Sequence, residues 1–301
     1  MKIGILGTGN IGKTLVTRLS EAGHDVKVAN SRGPETIDAD LLSAGAQAVT
    51  TEDALIAVDA VILSIPLNRI PGIAPLVARL PAETVVIDTS NYYPFRDDKI
   101  EAIENGQVES LWVAEQLGRP IAKAWNAIGS ASLARKAKPA GAADRIAIPV
   151  AADRDQDRKV AMALVNDTGL DAFDAGSLAD SWRQQPGAPV YCTDLTYDEI
   201  ADALNRAERE RLPKRRDLGV AVMQERLGDG TTNPDEEWGV RLVRAINMSG
   251  SPCAARERRA QRNLPCRNKS CLQQASPSRD RHSSYTTAIV SFARTMPRWC
   301  A

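Results

Sequence analysis

The chain has 301 residues, 43% of them hydrophobic and 25% charged, the composition of an ordinary globular protein. Its 38 Lys and Arg balance 38 Asp and Glu, so no overall field favours nucleic acid or an anionic membrane. No apolar run approaches the roughly 18–20 residues of a membrane span. The N-terminus reads as a buried strand rather than a signal peptide, so a cytoplasmic protein with no membrane and no nucleic-acid partner is expected.

The predicted elements alternate. Lys2–Leu6 is a short apolar run ending at a glycine, a buried strand. A helix follows, with Leu15, Val16 and Leu19 at helical spacing and Gly23 as its stop. Asp25–Ala29 is a second strand; Ile37–Ala46 reads as helix, Ala48–Val49 as a weak strand and Glu52–Ala57 as a short helix. Ala60–Ile65 is a strong strand stopped by Pro66, Ile70–Leu80 a helix, and Thr84–Asp88 another buried strand. Val113–Leu117 is helical, Ile121–Trp125 a sixth strand, Arg145–Ala151 a seventh, Asp155–Asp167 a helix and Asp171–Ala175 a last strand. Strands alternating with helices predict an α/β fold, a Rossmann-like doubly wound, mostly parallel sheet with helices on both faces. Its ligand should lie outside the carboxyl ends of the strands.

Beyond Gly176 the pattern turns helical, with Leu195–Arg211, Gly219–Arg226 and Glu237–Ile246 as candidates. From residue 249 onward there are ten Lys or Arg against only Glu257 and Asp280, and four of the five cysteines. The expected organisation is a nucleotide-binding domain over 1–178, a helical region over 179–248, and a basic tail over 249–301 expected to be disordered. The tail spacing Cys266-x₄-Cys271 does not match a zinc finger, so no metal site is expected.

Gly7-Thr8-Gly9-Asn10-Ile11-Gly12 fits G-x-G-x-x-G and stands between a predicted strand and a predicted helix, the context that gives the pattern meaning. Gly7 would permit the tight turn, Gly9 the approach of a pyrophosphate, and Gly12 the packing of helix on strand. Amides of Thr8, Asn10 and Ile11 at the helix start would face the phosphates. NAD-binding units usually end the second strand with Asp or Glu on the ribose 2′-hydroxyl. This chain has Asn30-Ser31-Arg32 there, which suits a 2′-phosphate and therefore NADP(H). Ser64-Ile65-Pro66, at the end of the fourth strand, would border the nicotinamide ribose.

These segments, together with Val86-Ile87-Asp88-Thr89-Ser90-Asn91, Ala122-Lys123-Ala124-Trp125-Asn126 and Asp174-Ala175-Gly176-Ser177-Leu178, resemble the NADPH-dependent coenzyme F420 reductase family over about residues 1–205. The resemblance implies hydride transfer between NADPH and a flavin or deazaflavin (coenzyme F420) acceptor, a homodimer, and a nicotinamide pocket bordered by Ser64, Pro66 and the turn beginning at Asn126. The chain departs from that pattern at Ser181-Trp182-Arg183-Gln184-Gln185-Pro186-Gly187 and in the residues that follow. Lys123 could reach the pocket, but no acid–base dyad, P-loop or nucleophile motif appears. Hydride exchange between stacked rings needs orientation more than acid–base help, so that absence is compatible with a reductase. A reductase of a small carbonyl or imine and a non-enzymatic NADP sensor are the alternative readings.

Overall fold

A computed structural model describes residues 1–228, 232 and 234–248; the basic tail lies outside the described residues. Met1–Ser249 form one compact unit. The strands are β1 (Lys2–Leu6), β2 (Asp25–Ala29), β3 (Gln47–Ala48), β4 (Ala60–Leu63), β5 (Val85–Asp88), β6 (Ala122–Lys123), β7 (Ala147–Ala152) and β8 (Asp171–Asp174). The helices are α1 (Asn10–Glu21), α2 (Ala39–Leu42), α3 (Ile70–Val77), α4 (Pro94–Asp97), α5 (Glu101–Glu104), α6 (Glu109–Leu117), α7 (Ser130–Arg135), α8 (Asp155–Asp167), α9 (Tyr197–Asn205), α10 (Leu212–Leu227) and α11 (Glu236–Ile246).

One sheet takes all eight strands in the order β3-β2-β1-β4-β5-β6-β7-β8. Every neighbour pair is parallel except β6–β7, which is antiparallel. The doubly wound, mostly parallel architecture read from the sequence is therefore present. The order reverses direction between β1 and β4, the switch point at which such sheets bind ligands.

The central strand β4, and β5 up to Asp88, are apolar because both faces are covered. Ile3, Ile5, Val26, Val28, Ile62 and Ile87 point to one side, where they pack with Leu15, Leu19, Leu164 and Val165 of α1 and α8. Leu6, Val61, Leu63 and Val86 point to the other, against Ile70, Val77, Trp112 and Val113 of α3 and α6. A third, smaller cluster seats α9 and the start of α10 through Ala147, Val190, Ile200, Ala203 and Leu212.

Several local expectations change. The helix expected over 37–46 shrinks to α2 after a 3₁₀ turn at Pro34–Thr36. Pro34 and Gly45 bracket that stretch, and it lacks a sustained apolar stripe. The helix expected at 52–57 is a single 3₁₀ turn, Asp53–Leu55. The long helix expected over 195–211 is divided. A capping box of Thr196 and Glu199 starts α9, and Pro213 sits in the first turn of α10, where a proline is tolerated.

Gly4 shows how tightly the first strand is built in. A Cβ placed there would stand 2.0 Å from the carbonyl oxygen of Ala54. Gly4→Ala should therefore cost about 1–3 kcal/mol, the scale of overpacking. Gly72→Ala serves as its control, because that position is helical with nothing within 4 Å of the added methyl; there a gain of about 0.5–1 kcal/mol is expected. Urea denaturation of both variants measures the contrast, and equal shifts would contradict it.

Candidate dinucleotide and acceptor site

The loop after β1 has the geometry a pyrophosphate needs. Gly7 adopts φ +112°, a conformation L side chains rarely take, and a Cβ there would lie 2.1 Å from Ser64 O. A Cβ on Gly12 would lie 2.1 Å from Gly7 O, so the helix start can approach the turn only without a side chain. Gly9 is the opposite case: it is exposed and nothing lies within 4 Å of an added Cβ. The loop is thus packed behind and open in front. Asn10 begins α1, whose first-turn amides have no side-chain cap at Gly9, leaving donors for an anion. Thr8 and Ile11 are half-buried on either side, with Ile11 packing against the core. The loop fits a dinucleotide.

At the end of β2, Asn30 organises the turn rather than facing outward. Its Oδ1 accepts from Arg32 N at 2.9 Å, and its Nδ2 donates to Thr36 Oγ1 at 2.9 Å. Ser31 and Arg32 are exposed, and no carboxylate occupies 30–32. Glu35 is the nearest acidic residue along the chain, and its carboxylate lies close against Gly33. Ser64 N donates to Leu6 O at 2.8 Å, which joins the ends of β1 and β4; Ser64 and Ile65 are half-buried and Pro66 is exposed beside the loop.

The other half of the crevice is built on β5 and β6. Here the structure adds what the sequence did not show. Lys123 is wholly buried, with its Nζ 2.6 Å from Asp88 Oδ2 and 2.5 Å from Ser90 O. It locks the loop after β5 and is not aimed into the pocket. Glu109, at the start of α6, shares this buried cluster and accepts from Tyr92 N at 3.2 Å. Burial pushes its carboxyl up to about 7, a rise that the Lys123 ammonium opposes.

Asn126 is 1% exposed. Its Nδ2 donates to Gln184 O and Asn91 Oδ1, at 2.9 and 3.2 Å, and Gln184 Nε2 returns a bond to Oδ1 at 2.9 Å. Both amide protons are used within the protein, so this side chain joins three segments. Trp125 before it has φ +54° and donates to Thr168 Oγ1, and Trp112 packs in the core. Trp182 lies under the guanidinium of Arg183 at 4.5 Å. Asp171 and Asp174 pair with Arg145 and Arg158. His24 contacts Asp167 at 3.0 Å, away from the loop. Among the described residues, no cluster of three or more His, Cys, Asp or Glu could hold a metal, and no helix is long and apolar enough to cross a membrane.

Fold and loop together define a class, a Rossmann-type sheet with a dinucleotide-binding glycine loop. Residues 2–92 match the family described as NADP oxidoreductase, coenzyme F420-dependent, so the resemblance read from the sequence stands over that stretch. YjhV of Escherichia coli strain K12 is 52% identical over 79 residues, which are 25% of this chain; the chain spans 58% of the length of that curated relative. The crystal structure of a hypothetical protein from Sinorhizobium meliloti is similar at 28% identity and TM-score 0.56, over 65% of this chain and 95% of that one. A provisionally named F420-dependent NADP reductase from Arthrobacter sp. FB24 is similar at 15% identity and TM-score 0.48, over 78% and 98% of the two chains.

The shifted Glu109 carboxyl makes stability depend on pH. Its folded pKa lies above the unfolded value, so the native state holds the proton more tightly. That contribution is complete below about 4.5 and is lost as pH rises through about 7. Glu109→Gln keeps an acceptor for Tyr92 N but carries no charge. Relative to the unmodified protein it should gain on the order of 2–3 kcal/mol between pH 4.5 and 8. Urea titrations across that range test this, and a pH-independent difference between the two proteins would refute it.

Proposed function

We propose that the protein is an NADP(H)-dependent oxidoreductase that passes hydride between NADPH and a flavin-like or deazaflavin acceptor. The observation that carries the cofactor choice is the end of β2. Asn30 folds the turn, and the Arg32 guanidinium stands exposed where a carboxylate would otherwise select the 2′-hydroxyl. Arg32 and Ser31 would hold the 2′-phosphate, a charge-assisted contact. The amides at Thr8–Ile11 would hold the pyrophosphate, and Ser64, Ile65 and Pro66 would border the nicotinamide end.

When bound, NADPH supplies the hydride. The protein supplies orientation and shields the site from water. Two observations favour a planar ring as acceptor over a small carbonyl. The matched family description names coenzyme F420. Lys123, the cation that by sequence could reach the pocket, is consumed by Asp88 and Ser90 and has no exposed surface.

Arg32→Ala should weaken NADPH binding by about 1.5–3 kcal/mol, the scale of a charged hydrogen bond, and leave NADH binding unchanged. Fluorescence titration of both cofactors decides this, and equal losses would refute the phosphate role. Oxidation of NADPH with FMN and a deazaflavin as acceptors tests the reaction itself; tight NADPH binding with no turnover would leave a binding protein in its place.

A further inference from the structure

A pocket of about 480 Å³ opens between the C-terminal end of α7, the chain entering β7 and one face of α11. That volume is in the range of small-molecule sites. None of the residues that line it belongs to the glycine loop, to 30–32 or to 64–66. Ile146 and Val240 give it an apolar part. The remaining lining is charged. Among the described residues, five cations and three carboxylates face it, so the pocket carries a positive excess.

The cations keep donors in reserve. Arg241 and Arg244 stand one turn apart on α11, where like charges repel. Arg244 donates to the carbonyl oxygens of Thr193, at 2.8 and 2.6 Å, and of Asp194, at 3.0 Å. A guanidinium has five N–H donors. Arg241 is 78% exposed, and among the described residues only its bond to Glu237 Oε2, at 3.2 Å, uses one of them. Lys138 pairs with Asp144. Lys136 Nζ donates to Asp194 Oδ2 at 3.0 Å and to Glu237 Oε1 at 3.3 Å. Burial works against the Lys136 ammonium, but these two carboxylates outweigh it and hold its titration above the usual value, so it stays charged.

Asp194 supplies the second, independent feature. Its side chain is only 8% exposed, and it lines the pocket. Oδ2 accepts from Ser132 Oγ at 2.7 Å and from Lys136. Oδ1 is buried and has no hydrogen-bond partner. A buried carboxylate oxygen left without a donor is costly and calls for a partner. The pocket therefore offers two things at once: unused guanidinium donors on α11 and an unused acceptor on Asp194. A bare anion satisfies the first and is repelled by the second. A neutral polyol satisfies the second alone. We infer that this pocket is a binding site for a small hydroxylated phosphate ester, with the phosphate on Arg241 and Arg244 and a neighbouring hydroxyl donating to Asp194 Oδ1. Arginine is suited to the phosphate because its planar fork matches two of the oxygens.

The test is isothermal titration calorimetry of the full chain with three probes: ribose 5-phosphate, inorganic phosphate and ribose. Ribose 5-phosphate should bind at least about fivefold more tightly than inorganic phosphate, the worth of one hydrogen bond to a charged group, and ribose should bind more weakly than both. Arg241→Gln removes an exposed guanidinium and should weaken ribose 5-phosphate about tenfold. Arg32→Ala should leave that affinity within about twofold, since Arg32 belongs to the dinucleotide cradle. Asp194→Ala, with its fold verified by circular dichroism, should abolish the preference for the sugar phosphate over phosphate. Equal affinity of the unmodified protein for phosphate and ribose 5-phosphate would overturn the assignment, as would the absence of saturable binding. So would unchanged affinity in Arg241→Gln; a loss in Arg32→Ala in its place would put the bound ester in the cradle instead.

Discussion

Three positions in the first βα unit cannot carry a side chain. A Cβ on Gly4, Gly7 or Gly12 would stand 2.0–2.1 Å from a backbone carbonyl oxygen, of Ala54, Ser64 and Gly7 respectively. This close approach sets the spacing of β1, β4 and α1 at the switch point. It also leaves the exposed Gly9 as the one glycine of the loop with open space before it. The rest of the site follows from that constraint. Since α1 is held against the turn, its free amides and its dipole point to one place. Since Gly7 N bonds Ala29 O and Ser64 N bonds Leu6 O, the ends of β2 and β4 are tied to the same turn. Arg32 and Ser64 thereby take up positions on either side of a fixed cradle.

The half of the crevice built on β5 and β6 is organised by charge rather than by close backbone packing. An isolated buried lysine or aspartate is costly; the two together, with Ser90 O and Ser90 N as further partners, are not stranded. A buried pair is weak evidence for net stability, but it is specific in position. It joins adjacent strand ends and fixes the loop that carries Asn91, Tyr92 and Tyr93. Glu109 shares the cluster, and burial, more than the neighbouring Asp88 carboxylate, makes it a group that holds its proton to near neutrality.

The two halves differed in how far the sequence disclosed them. The dinucleotide half was legible because its determinants are local. Glycines at fixed spacing, a strand before them and a helix after them all lie within the first two dozen residues, and Asn30-Ser31-Arg32 follows at the next strand end. The continuous apolar runs at 60–63 and 85–87 disclosed buried parallel strands for the same reason. The half built on β5 and β6 depends on partners distant in sequence. Lys123 meets Asp88 across 35 residues and Tyr93 meets Tyr191 across 98, and no periodicity records such pairings. The sequence showed Asp88 only as the end of a buried strand and Lys123 only as a residue that could reach the pocket. Only strand adjacency shows that they neutralise one another. The antiparallel β7 was equally hidden, since direction within a sheet is set by how the connection from β6 crosses it and not by the strand's own residues.

The Trp-Arg-Gln-Gln-Pro-Gly stretch, where the chain leaves the pattern of its resemblance, connects these halves to the C-terminal helices. Gln184 is fully buried and exchanges hydrogen bonds with Asn126, so the turn after β6 is held from outside the sheet. Gly187 has φ +92°, and a Cβ there would lie 2.4 Å from Leu212 O, so the start of α10 can seat against it only because it is glycine. Arg216, in the first turns of α10, then lies 5.3 Å from the centre of the Tyr92 ring, on the loop that Lys123 anchors. Arg244 of α11 donates to Thr193 O at 2.8 and 2.6 Å, beside the strained Cys192. The helices after the sheet therefore act on the loops at the carboxyl ends of β5 and β6 and not on the glycine loop. These later contacts lie beyond residues 2–92, the stretch over which the chain matches the family described as NADP oxidoreductase, coenzyme F420-dependent.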